Sequence, residues 1–117
     1  MSFKFEKLEI WQKAIDLSTR ISHLVDTFPR LHQYTLGSQI TRAADSICHN
    51  IAEGSTGQTN PEQILFLKYS YRSAIETVSC LFLGKKRGII PEDEFNYLYK
   101  EYEILVKRIR SFQKNLR

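Results

Sequence analysis

Residues 42–54 read RAADSICHNIAEG, and the fold turns on how that run is read. Ile40, Ala43, Ala44, Ile47 and Ile51 recur at helical spacing and give one apolar face. Gln39, Arg42, Ser46, Asn50 and Glu53 recur at the same spacing beside it. The pattern predicts a helix from about Leu36 to Glu53, capped by Thr35 or Ser38 and stopped by Gly54 as a C-terminal glycine in positive φ. The following GSTGQTN is a loop by composition.

On either side of this run lie three more helical patterns. The first spans about Phe5 to Phe28 and ends at Pro29. Ile10, Ala14, Leu17, Ile21, Leu24 and Phe28 form one seam, with Leu8, Trp11, Ile15 and Val25 forming a second. The third starts at Asn60-Pro61-Glu62-Gln63, where Asn60 is a cap, Pro61 suits the first turn and Gln63 completes a capping box. It runs to about Lys86, with Ile64, Leu67, Tyr71, Ala74, Ile75, Val78 and Phe82 along one face. Leu65, Phe66, Tyr69, Cys80 and Leu83 occupy the other side. A helix apolar on two sides needs a second surface, so Leu65, Tyr69 and Leu83 are candidate contacts between subunits.

Lys85-Lys86-Arg87-Gly88 closes that helix and Pro91 opens the last, in which Phe95, Leu98, Tyr102, Leu105, Ile109, Phe112 and Leu116 alternate steps of three and four. Tyr99 and Val106 widen that stripe. No stretch alternates with period two. The expectation is an all-α, antiparallel up-down-up-down four-helix bundle, with residues 1–117 a single domain. That connectivity brings the N-terminus, the loop 54–60 and the C-terminal tail to one end. The clusters Lys85–Arg87 and Glu92–Glu94 share the other, where their charges cancel.

The formal net charge of +4 is uneven. Residues 1–58 hold six basic and six acidic side chains, whereas residues 59–117 hold eleven and seven. Lys107, Arg108, Arg110, Lys114 and Arg117 follow the last acid, Glu103. Together with Lys4 and Lys7 they are the candidate contacts for an anionic partner, RNA or DNA. The plainer reading is that cations at a helix C-terminus complement its dipole. Phe112 and Leu116 belong to the core seam, so this end shows no platform for stacking bases.

Other classes recede. No run of roughly 18 apolar residues predicts a membrane span. MSFKFEKLEI lacks the apolar core of a signal peptide, which predicts a cytoplasmic protein. Cys48 and Cys80 sit among apolar neighbours and read as buried free thiols. His23, His32 and His49 match no metal spacing. Phosphate-loop, dinucleotide, zinc-hydrolase and serine-hydrolase motifs are missing, and Glu53 and Glu76 lack the Glu-x-x-His repeats of di-metal bundles. The expectation is no enzyme, no cofactor and no metal.

The polar line on the second helix leaves three readings open: a solvated face, a nucleic-acid contact, or a hydrogen-bonded seam against a neighbouring helix or subunit. The short Ser46 and Asn50 favour the seam, in which Arg42 would pair with Glu76.

SQITRAADSICHNIAEG resembles the signature of the four-helix bundle proteins encoded in intervening sequences of bacterial 23S ribosomal RNA genes, once labelled S23 ribosomal protein. FEKLEIWQKAIDL, Phe28-Pro29, Ser73-Ala-Ile-Glu76 and Gly88-Ile-Ile extend the likeness over nearly the whole chain. Two positions depart from the family: Gln58 stands where an Arg is frequent, and Arg72 where Gly often precedes the third-helix Ser. The resemblance implies a homopentamer with a central channel. It also implies kinship with the accessory proteins of diversity-generating retroelements, basic barrels that bind nucleic acid and a reverse transcriptase. The expected partners are therefore further copies of the chain, a nucleic acid, or a protein such as a reverse transcriptase or ribosomal factor.

Overall fold

The computed structural model describes residues 2–57 and 59–117. Four long helices carry it: α1 (Glu9–Asp26), α2 (Ser38–Gly54), α3 (Asn60–Lys86) and α4 (Glu92–Asn115), with no strand among the described residues. No helix is long and apolar enough to cross a membrane.

Each contact between helices runs in opposite residue order along its two partners. Lys13 pairs with Glu101 and Arg20 with Glu94 between α1 and α4. Ser18 reaches Asp45 between α1 and α2, while Gly37, ahead of α2, lies against Val25 near the end of α1. Ser70 reaches Ile47, and Gly54 meets Phe66, between α2 and α3. Gln113 reaches Ile64, and Phe82 meets Phe95, between α3 and α4. The first seam of α1, the apolar face of α2 and Phe95, Leu98, Tyr102, Leu105 and Ile109 of α4 are all buried, and all but Ala43 join one core, as their spacing predicts.

The helix starts differ from the sequence expectation. Before α1 comes a short 3-10 turn, Lys4–Lys7, and Leu8 is extended. The Glu6 carboxylate closes that turn by accepting from the Phe3 N–H at 2.6 Å. Neither Thr35 nor Ser38 caps α2, because the chain is already helical from Arg30 through a π turn at Gln33–Gly37. With few free amides to satisfy, both hydroxyls donate to preceding carbonyls instead, of His32 and Gln33. The cap of α3 is Thr59, whose hydroxyl accepts from the Glu62 N–H at 3.4 Å. Asn60 is freed to hold the carbonyl of Leu116 at 3.0 Å, and Gln63 is buried rather than closing a capping box.

Gly54 does not take positive φ; among the described glycines that role falls to Gly57 (87°) and Gly88 (72°). Gly54 stays inside α2, where a Cβ would stand 2.9 Å from the Phe66 Cβ. It is the last residue of α2 and a site of close approach between helices, not a positive-φ cap.

The largest correction concerns α3. Its buried face is Gln63, Leu67, Ser70, Ala74, Thr77, Leu81 and Gly84, joined by Cys80. Ile75 and Phe82, expected inside, are 50% and 51% exposed, and Cys80, expected outside, is buried. The physical reason is the closeness of α2, the partner with which α3 shares its most extensive contact. Small side chains let the backbones approach, and their hydroxyls are satisfied locally. Ser70 donates to the Ile47 carbonyl at 3.0 Å and Thr77 to the Ser73 carbonyl at 2.8 Å. Larger apolar groups are turned outward: Leu65, Tyr69, Ile75 and Leu83 lie on the exposed side of α3, and Phe82 lies at its edge against Phe95 and Tyr99 of α4.

Candidate nucleic-acid interface

The last turns of α4 fan cations over the surface. At about 100° per residue, Lys107 and Lys114 point outward within about 20° of each other, Arg108 turns towards α1 and Arg110 towards α3, while Arg117 follows the end of the helix. All five are exposed, as are Lys4 and Lys7. Two features border the fan. Lys7, Leu8 and Glu9 face Arg108, Ser111 and Asn115 across a groove of about 440 Å³. The Arg110 guanidinium lies 3.8 Å above the Tyr71 ring, which holds one face of the cation and leaves its edge to solvent. None of the seven cations takes part in an ion pair among the described residues.

Lys4 stands beside a different feature, a cleft of about 550 Å³ between the N-terminal segment and the end of α2. Its walls are Phe3, Lys4 and Phe5 on one side and Ala52, Glu53, Ser55, Thr56 and Gly57 on the other. Gln58, where the family often carries Arg, lies outside the described residues. Asn60 and Gln113 tie the start of α3 to the end of α4 by side-chain bonds to Leu116 and Ile64. The loop after α2, the N-terminal turn and the tail thus meet at one end.

At the opposite end the two clusters of opposite charge find separate partners. Glu94 takes Arg20 in a two-pronged bond at 2.8 and 3.0 Å, and Arg20 also stacks on Tyr97. That bond raises the Arg20 pKa further. Lys85 lies over the Phe95 ring at 4.5 Å. No Lys85–Arg87 cation pairs with Glu92–Glu94 among the described residues.

The polar line on α2 is divided. Ser46 and Asn50 are half-buried and form the seam: Asn50 donates to the Ser46 carbonyl and hydroxyl, and Ser73 of α3 donates to the Ser46 hydroxyl at 2.9 Å. Gln39, Arg42 and Glu53 are exposed. Arg42 does not pair with Glu76: it borders the cleft between the end of α1 and the start of α2, while Glu76 is exposed on α3. Arg72 is exposed as well, so it does not obstruct the approach at Ser73.

Residues 6–111 match the family described as 23S rRNA-intervening sequence protein. The chain belongs to that family. A solved structure from Bacteroides thetaiotaomicron VPI-5482, described as a protein with unknown function from the S23 ribosomal protein family, shares the fold with a TM-score of 0.84. It is 23% identical, and the match covers 90% of this chain and 98% of that one. No curated protein matches the chain.

Within this intervening-sequence family member, the signature residues serve packing before chemistry. Cys48 and Cys80 are free and buried. Burial, helped by Asp45, pushes the Cys48 thiol up to about 11, so at neutral pH it is protonated and a poor nucleophile. Burial likewise raises Cys80, with Glu76 adding to it. The Tyr102 hydroxyl is buried without a protein partner and its pKa is raised, first by burial and then by Cys48 and Asp45. The Ser18 hydroxyl donates to Asp45 at 2.5 Å beside a shallow cleft that also holds Trp11 and His49. Among the described residues no group of three or more metal-ligating side chains converges.

Two features of the basic end escaped the sequence reading. Tyr71, assigned to the core face of α3, serves as the seat of Arg110. Phe3 is 62% exposed and stacks on Phe5, which packs edge-on against Trp11. The period gave no signal of it: Phe3 stands seven residues before Ile10, in register with the α1 seam, and only the break at Leu8 takes it off that face.

Proposed function

We propose that this family member is a non-enzymatic, homo-oligomeric, cytoplasmic protein whose basic end binds nucleic acid, RNA before DNA given the gene context of its family. Its four helices make an antiparallel up-down-up-down bundle, which is what gathers the cations. The observation that carries the reading is the set of seven exposed cations at one end, free of ion pairs among the described residues. Cations already engaged with carboxylates would have to break those bonds to meet phosphate; these do not. Phosphate contacts give affinity without choosing sequence. A salt titration with a labelled single-stranded RNA tests it. Binding through these groups weakens steeply with salt as counterions are released, so affinity unchanged between 50 and 200 mM salt, concentrations of the order used in such titrations, sinks it.

The exposed apolar side of α3 favours self-assembly and, as a second reading, a protein partner such as a reverse transcriptase or ribosomal factor. Leu65, Tyr69, Ile75 and Leu83 expose apolar surface along one helix side, a pattern that marks an interface. The number five rests on the family resemblance. Light scattering is expected to give a multiple of the 13.7 kDa chain mass. The pair Leu65→Glu and Leu83→Glu is expected to dissociate the assembly while helical content by circular dichroism stays near wild type, because neither side chain is buried in the chain itself. A wild-type monomer at micromolar concentration, or a double variant that assembles as before, refutes it.

A further inference from the structure

We propose that Phe3 is a stacking platform for an unpaired nucleobase, so that the ligand of the basic end is single-stranded nucleic acid. This rests on the nucleic-acid reading above and names the form of its ligand. Phe3 is 62% exposed although it is aromatic and sits in an ordered turn. Its ring is set, not loose. The ring centroids of Phe3 and Phe5 are 5.8 Å apart with the planes only 16° from parallel. Phe5 is braced edge-on by Trp11 at 4.7 Å, and the Phe3 backbone is held by Glu6. One face of the Phe3 ring is thus occupied by Phe5, and a base added to the other would extend the stack.

The charges around it sort the two parts of a nucleotide. Lys4 borders the cleft beside Phe3, and Lys7 and Arg108 border a second groove together with Glu9, so cations outnumber the single carboxylate there. Glu53 stands on the far wall of the cleft. A carboxylate accepts from the amino and imino groups of a base edge, so the cleft, with Glu53 across from Phe3, suits a base, while the groove, with two cations to one carboxylate, suits the backbone. A paired duplex hides its base faces and offers only phosphates; a single strand offers both. Stacking on one aromatic is sequence-tolerant, because every base has a π-face.

The test uses the full chain, a labelled 12-nucleotide single-stranded RNA and a duplex of equal length, sizes on the order of one binding site. Phe3→Ala is expected to weaken single-strand binding about tenfold or more, to leave the salt slope unchanged because no charge is removed, and to leave duplex binding unchanged. Phe3→Trp restores it. Circular dichroism and the urea midpoint should match wild type, since Phe3 lies outside the four helices and the core. Equal single-strand affinity for wild type and Phe3→Ala overturns the proposal while the phosphate reading stands. An equal loss on the duplex overturns it too, since stacking is not then what was removed. Wild type that binds neither RNA overturns the phosphate reading and this proposal with it.

Discussion

Gly54→Val is expected to lower folding stability by about 3 kcal/mol, the upper range for forcing atoms into a packed contact. A Cβ at this position stands 2.9 Å from the Phe66 Cβ and 3.5 Å from the Gln63 carbonyl oxygen. Both neighbours are fixed by the α3 backbone, so no flexible side-chain tip can move aside. The cost is a wider separation of α2 and α3, felt along their shared seam. Valine recovers only a few tenths of a kcal/mol through its better helix propensity. Gly57→Ala is the control, because Gly57 has φ of 87° with open space around it. It should cost about 1 kcal/mol from backbone conformation alone. Urea denaturation of both variants at one protein concentration decides the matter. If Gly54→Val costs less than Gly57→Ala, close approach is not what this glycine provides.

Reversing Arg108, Arg110 and Lys114 to Glu together is expected to reduce RNA affinity by about a thousandfold or more at low salt. Each substitution removes a phosphate partner and puts a repelling charge in its place. With three fewer phosphates neutralised, the salt dependence should flatten by about two units of slope, at roughly 0.7 per phosphate for a single strand. All three side chains are exposed, so the bundle should survive. The substitutions also take the Arg110 guanidinium off the Tyr71 ring, an interaction worth about 0.5–1 kcal/mol at an exposed site. Circular dichroism and light scattering on the same sample check fold and assembly. A triple variant that binds RNA with unchanged affinity and slope leaves the tail as a solvated, dipole-complementing helix end, and the protein-partner reading then leads.

How far the fold was legible depends on which residues make each contact. In α1, α2 and α4 the central core positions are Ile, Leu, Ala, Phe and Tyr at helical spacing and a hydrophobic period finds them, whereas Ile15 and Tyr99, expected on the flanks of those faces, are exposed. In α3 the same rule turns the helix the wrong way. Ser70, Ala74, Thr77 and Gly84 are buried because they are small, while Ile75 and Phe82 face outward because they are not. A scale of hydrophobicity ranks those groups in the opposite order. Gly54 misled for a related reason: glycine ends helices and also lets helices touch, and only the neighbour Phe66 separates the two uses. The cap at Thr59 was missed by one residue because Asn60, the stronger capping type, is spent on the Leu116 carbonyl.

The candidate site was legible where it is linear. Lys107, Arg108, Arg110, Lys114 and Arg117 are neighbours in sequence, so their cluster needs no fold to be seen. The facing of Lys7 and Arg108 across a groove needs the bundle. The Phe3–Phe5–Trp11 stack needs the break at Leu8, which turns an apparent first turn of helix into a separate 3-10 element. The polar line on α2 was half legible: short Ser46 and Asn50 formed the seam, while Arg42, one turn earlier, stays exposed beside the cleft at the start of α2 and its expected partner Glu76 is exposed on α3.

The close seam between α2 and α3 also bears on the order of events as the chain folds. These two helices are joined by only a short loop, residues 55–59, and make the most extensive contact in the molecule. Closing a short loop loses little chain entropy, and contacts near in sequence form fastest. The helical hairpin Ser38–Lys86 is therefore the natural nucleus, with α1 and α4 docking onto it later. Mutations at Ile47 and Ala74 should slow folding, whereas mutations at Leu17 and Ile109 should mainly hasten unfolding. Equal φ-values across the two groups, measured by stopped-flow refolding, would show a nucleus spread over all four helices instead.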